Sequence, residues 1–194
     1  MRSAVVAMGL ALAIALATPS ASNAQRSIDL YGTIGGTTSL SDLNDAGTNS
    51  LNTAFTGGGG IGYNLSSRFG VRGDVMYSQP SIDGSGTSGV APGTDLDRLF
   101  YGGEIVWRFA NMGSLVPFVG AGGGAVRFED EAGASFTKGA GRASLGVNYS
   151  IPGAKGFGLL AQGTGWVYSF NRAGPSNTQF DVVYSAGVSY AFRL

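Results

Sequence analysis

The chain of 194 residues contains no cysteine and no histidine. Without cysteine there is no disulfide framework to support a small core, no thiolate nucleophile and no thiolate ligand for a metal. Without histidine, the usual general base near neutral pH and the usual imidazole ligand are also missing. Charge is scarce. Twelve Lys and Arg balance twelve Asp and Glu, and charged residues make up 12% of the chain, half the share of about 25% usual in a soluble domain. No cluster of Lys or Arg offers the basic patch that nucleic acid demands. Past the N-terminal segment, no apolar run reaches the roughly 20 residues of a membrane-spanning helix. Glycine, by contrast, is abundant: 34 residues, more than twice the usual share of about 7%. Few charges, many glycines and no long apolar run suit a domain of many strands.

The N-terminus carries an export signal. Arg2 supplies positive charge, residues 4–17 are uniformly apolar, and Ser22, Asn23 and Ala24 form a small-x-small cleavage site. The expected organisation is a cleaved signal peptide over residues 1–24, then one domain over residues 25–194. The apolar run is too short to anchor the chain as a helix, and its character fits bacterial export.

Residues 180–194 set the pattern for the rest. Phe180, Val182, Tyr184, Ala186, Val188, Tyr190, Phe192 and Leu194 alternate with Asp181, Val183, Ser185, Gly187, Ser189, Ala191 and Arg193. Successive side chains of a strand point to opposite faces, so one face is greasy and the other largely polar. The same period of two predicts strands over residues 27–35, 54–63, 68–78, 98–109, 115–128, 138–149 and 157–170. On the greasy face of 115–128 the reading places Val116, Phe118, Val126 and Phe128. Within 157–170 the phase slips, from Phe157, Leu159 and Ala161 to Trp166, Tyr168 and Phe170, which predicts a bulge near residues 163–165.

Connections sort by length. Residues 64–67, 110–114 and 152–156 are short turns; residues 36–53, 79–97, 129–137 and 171–179 are longer and polar. Short turns at one end and long loops at the other mark an up-and-down barrel in an outer membrane. Aromatics fall into two belts on the same reading. One end carries Tyr63, Phe69, Trp107, Phe109, Phe118, Tyr149, Phe157, Tyr190 and Phe192. The other carries Phe55, Tyr77, Tyr101, Phe128, Tyr168 and Phe180. Aliphatic residues and glycine fill the band between, as lipid interfaces require. Arg72, Asp74, Glu104, Arg108 and Arg142 take the opposite phase and point inward. The fold expected is all-β: an eight-stranded antiparallel up-and-down transmembrane β-barrel, with both chain ends in the periplasm and four loops outside.

The run Leu115-Val-Pro-Phe-Val-Gly-Ala-Gly-Gly-Gly124 and the ending Val188-Ser-Tyr-Ala-Phe-Arg-Leu194 resemble the small outer-membrane barrels of the OmpA transmembrane-domain and opacity-protein kind. The likeness covers nearly all of the chain after residue 24. It implies residence in the bacterial outer membrane, contact with outer-membrane lipid and lipopolysaccharide, and recognition by the barrel-assembly machinery through the C-terminal signal Tyr190, Phe192 and Leu194. The family usually ends on an aromatic, and Leu194 departs from that. No peptidoglycan-binding domain is expected after the barrel, so that role is not carried over. Lipid-modifying enzymes of similar size rely on His with Ser, so no enzyme activity and no cofactor or metal is expected.

An eight-stranded barrel has an interior just wide enough for side chains, and buried charges need partners. Counting up from the short turns puts Arg72, Asp74, Glu104 and Gln162 at similar heights, with Arg72 and Glu104 on adjacent strands. The expectation is an Arg72–Glu104 pair, with Asp74, Arg108 and Arg142 around it. This interior polar network is either a static plug or the gate of a small low-conductance pore. The outer loops are acidic: Asp42, Asp45, Asp83, Asp95, Asp97, Glu129, Asp130 and Glu131. They match no calcium-loop spacing. Loops on a rigid scaffold are natural interaction sites, so an adhesin-like role toward a host-surface ligand stands beside the pore.

Overall fold

Ten strands build the computed structural model, which describes residues 26–41, 49–84, 95–109, 114–130, 133–170 and 177–194. In chain order they are β1 (Ser27–Ser39), β2 (Asn49–Leu51), β3 (Ala54–Asn64), β4 (Phe69–Ser78), β5 (Ile82–Gly84), β6 (Leu96–Arg108), β7 (Leu115–Asp130), β8 (Ser135–Ser150), β9 (Phe157–Phe170) and β10 (Asn177–Arg193). No helix occurs among the described residues. The expected signal peptide lies outside them, as do Asp42, Asp45 and Glu131.

Eight strands close into a barrel in the order β1-β10-β9-β8-β7-β6-β4-β3, every neighbouring pair antiparallel. Closure leaves no strand edge bare, which is what allows a sheet to sit in hydrocarbon. The seam between first and last strands is complete, running from Ser27↔Arg193 to Ser39↔Asp181. β2 and β5 are short strands inside two of the long connections and pair with each other. The barrel strands run further at this end than hydropathy suggests. Asp97, Glu129 and Asp130 belong to β6 and β7, not to loops. The ladder of backbone hydrogen bonds needs no apolar side chains, so strands continue past the greasy band into water.

Turns at the opposite end are tight. Ser66 Oγ accepts from the Phe69 amide at 3.0 Å. Gly153 and Gly156 take φ of 82° and 83° in the turn before β9, a left-handed geometry natural to glycine.

Large apolar side chains face outward and stay exposed, among them Ile34, Ile105, Leu145 and Val188. Phe69, Trp107, Phe109, Phe157 and Phe192 surround the short-turn end, and Phe55, Tyr77 and Phe180 the other. Three members of the expected belts are not there. Phe118, Phe128 and Tyr168 are at most 4% exposed and point into the barrel, and Val116 and Val126 share the inward row of β7, so the face read for 115–128 is reversed. The bulge near residues 163–165 is absent as well. β9 alternates without interruption, with Leu160, Gln162, Thr164, Trp166 and Tyr168 buried and Leu159 and Val167 exposed. The apparent slip reflects a change in what the interior wants: polar side chains give way to aromatic ones along the same inward row.

Outward residues thus meet hydrocarbon, and an arginine there is penalised by depth. Leu145→Arg, midway along the lipid face, should lower unfolding free energy by about 2–4 kcal/mol in urea titrations in lipid. Leu40→Arg, just past the outer end of β1, should change it by less than about 1 kcal/mol. Equal losses would mean that the greasy band is not bathed in lipid.

Candidate functional site: the charged lumen

The barrel interior is layered. At the short-turn end is an open polar cup of about 210 Å³, lined by Ser27, Asp29, Asn64, Arg108, Asn148 and Ser189 among others. Asn64 Nδ2 donates to Ser27 Oγ at 2.6 Å and to Asp29 Oδ2 at 2.7 Å. Arg108 belongs here: its Nη2 lies 3.8 Å from Asp29 Oδ2. It faces Asp29 and does not join the central network expected to include it. Val106, Phe118 and Leu160, with Tyr31 packed against them, floor the cup.

Above that floor sits the ion cluster, with Arg72 reaching through to the cup lining. Arg72 Nε pairs with Glu104 Oε1, and these residues are direct partners across β4 and β6. Arg72 Nη2 also donates to Ser144 Oγ at 3.2 Å, and Ser144 donates to Glu104 Oε1 at 3.0 Å. Arg142 grips Asp74 with two parallel bonds of 2.6 and 3.0 Å, the fork geometry that suits guanidinium and carboxylate. Arg142 Nε lies 3.1 Å from Glu104 Oε2, so Glu104 stands between two arginines. The Tyr31 hydroxyl donates to Asp74 Oδ2 at 3.1 Å. Two cations and two carboxylates cancel, and Asp74, Glu104 and Arg142 are each 4% exposed. Aromatic rings close the cluster from both sides. Arg72 lies 4.5 Å from the Phe118 ring centre, and Arg142 lies 4.8 Å from that of Trp166, distances suited to cation–π attraction.

Glycine makes room for these side chains. A Cβ on Gly120 would stand 2.9 Å from Glu104 Oε1 and 2.6 Å from Ser144 Oγ. A larger residue at this position would displace the carboxylate.

The outer half of the lumen is apolar. Met76, Leu96, Phe100, Val126, Phe128, Trp166, Tyr168 and Val183 form one buried cluster, and Leu51 of β2 folds in to join it. A second ion pair is embedded there. Arg98 Nη1 donates to Asp181 Oδ2 at 2.9 Å and to Ser39 Oγ at 3.2 Å. The Tyr168 hydroxyl donates to Asp181 Oδ2 at 2.6 Å. Both charged side chains are 0% exposed. This pair was missed in the sequence, although Arg98 and Asp181 both occupy the inward phase of their strands. Arg98 begins the strand expected over residues 98–109 and there reads as a rim residue, whereas β6 starts at Leu96.

Gln162 faces the interior but makes no bond to the ion cluster. Tyr190 and Phe192 face outward near the end of β10. Tyr190 meets Phe157 and Phe192 edge-on at 4.8 and 4.6 Å. Leu194 is 71% exposed, and its amide donates to the Arg26 carbonyl at 3.0 Å. No cluster of three or more acidic groups suited to a metal ion occurs among the described residues.

Comparison with known proteins agrees with this architecture. Outer membrane protein OprG from Pseudomonas aeruginosa superposes with a TM-score of 0.61 at 16% identity, covering 88% of this chain and 98% of that one. Neisserial surface protein A gives 0.58 at 17% identity, covering 86% and 97%. Outer membrane protein AlkL, solved in lipid bilayers, gives 0.53 at 20% identity, covering 92% and 95%. At such identities the likeness concerns the fold alone. No curated protein matches the chain. Residues 8–193 match the outer membrane protein beta-barrel domain, so the chain belongs to that family and resides in the bacterial outer membrane.

Proposed function

We propose that this protein is a closed outer-membrane scaffold whose role is structural and surface-interacting, exercised through the elements at its outer end. The observation that carries this reading is the stack filling the lumen. Phe118 and Leu160, the four-residue ion cluster, Trp166, Phe100 and Phe128 succeed one another along the interior with buried side chains. A hydrated ion has no route through such a stack, and the charges in it neutralise one another without a ligand. The outer end carries the paired strands β2 and β5 and the outward carboxylates Asp97 and Glu129, which are direct neighbours across β6 and β7. These groups face the layer where lipopolysaccharide phosphates and external ligands lie. No catalytic role is proposed.

Planar-bilayer recording of the refolded protein tests closure. Wild type should give no stable channel, and Arg72→Ala should match it, because the aromatic layers above and below remain. Discrete channels in wild type that change with Arg72→Ala would replace this reading with a gated pore. The surface role is tested by adherence of expressing cells to epithelial monolayers. Replacing β2 and β5 by short turns should reduce it, and unchanged adherence would leave only the structural role.

A further inference from the structure

Among the buried side-chain atoms without a hydrogen-bond partner, four lie close together on β9 and β10: Gln162 Nε2 and Oε1, Thr164 Oγ1 and Ser185 Oγ. Their residues are 6%, 1% and 9% exposed. They form one patch. Ser185 lies directly opposite Gln162 across β10 and β9, and Thr164 lies opposite Ser144 across β9 and β8. Ser144 in turn bonds both Arg72 and Glu104. The patch therefore flanks the ion cluster on its β9–β10 side. A dry amide beside two dry hydroxyls is rarely tolerated in a folded interior.

The patch lies beyond the inner wall of the cup. Along β10 the inward positions run Ser189, Gly187, Ser185, and along β9 they run Gly158, Leu160, Gln162. Ser189, Gly158 and Leu160 line the open cup. On β10 the inward position between Ser189 and Ser185 is Gly187, against which the β1 backbone packs: a Cβ there would stand 1.9 Å from the Gly32 carbonyl oxygen.

We propose that Gln162, Thr164 and Ser185 form a site for enclosed water beside the ion cluster. About two water molecules, each making about three hydrogen bonds, satisfy the four atoms and reach Ser144. The ion cluster is thereby hydrated at Ser144, on its β9 side, while Arg72 reaches the lining of the cup. The ligand is water itself: the groups present donors and acceptors in balance, and no net charge would hold an ion.

Water-edited solid-state NMR of the protein in lipid bilayers tests this directly. Signals of Gln162, Thr164 and Ser185 should build up from water within a few-fold of the rate for the cup residues Asn148 and Ser189. Val126, buried in the outer apolar cluster, is the dry reference. A shape-conserving variant supplies an independent sign. If its hydroxyl binds water, Thr164→Val loses those bonds and its urea midpoint falls; a dry, orphaned hydroxyl would be better removed, and the midpoint would rise. Build-up as slow as Val126, or a midpoint that rises or stays level, overturns the proposal.

Discussion

Glu104→Ala should lower the unfolding free energy of the barrel in lipid by about 3–5 kcal/mol, read from urea titrations. Glu104 is the one carboxylate between Arg72 and Arg142. Arg142 keeps its two bonds to Asp74 when Glu104 is lost. Arg72 keeps only Ser144 and the faces of Phe118 and Tyr31. A guanidinium only 8% exposed, at the inner wall of the cup, then has no counter-charge, and that deficit produces the loss. Removing both partners with apolar side chains of similar size, as in Arg72→Met with Glu104→Leu, should be far milder, because no charge remains to be compensated. A loss below about 1 kcal/mol for Glu104→Ala alone would mean that water reaches Arg72 freely.

Asp181→Ala should cost about as much, again about 3–5 kcal/mol, for a different local reason. Arg98 is wholly buried among Phe100, Phe128 and their neighbours, and Asp181 is its carboxylate partner. Its Nε and Nη2 already lack partners, so there is little to fall back on. Tyr168 loses its acceptor at the same time. Arg98→Met in the Asp181→Ala background should recover most of the loss. Failure to recover it would place the cost in the Tyr168 and Ser39 hydroxyls and not in the stranded cation.

The barrel could be read from sequence because lipid enforces a strict rule on its outer face. Every second residue must be apolar or glycine wherever the strand crosses hydrocarbon, and residues 68–78, 98–109 and 180–194 obey it plainly. The interior follows no such rule. It must only be filled and satisfied, so its inward row passes from Asp29 and Asn148 through Gln162 to Trp166 and Phe128. Taking "polar" to mean "inside" therefore failed where the lumen turns aromatic, and Phe118, Phe128 and Tyr168 were assigned to the wrong surface. Arg72 and Glu104 could be paired because β4 and β6 are joined by sequence order and their heights count from nearby turns. Arg98 and Asp181 could not, since they are 83 positions apart and meet across the lumen. Register and tilt, which no local pattern encodes, decide such partners. Arg108 illustrates the converse: its phase was right, but its depth brings it to Asp29.

The completeness of the β1–β10 junction has a consequence for the order in which the strands are written. Ser27 stands opposite Arg193, so both ends of the ring emerge side by side on the same rim. A tether of a few residues would span them, and the polypeptide could be reopened at a turn such as the one before β9. Such a circular permutant should fold to the same ring. Its finished shape is then a property of which strands adjoin, not of which is synthesised first.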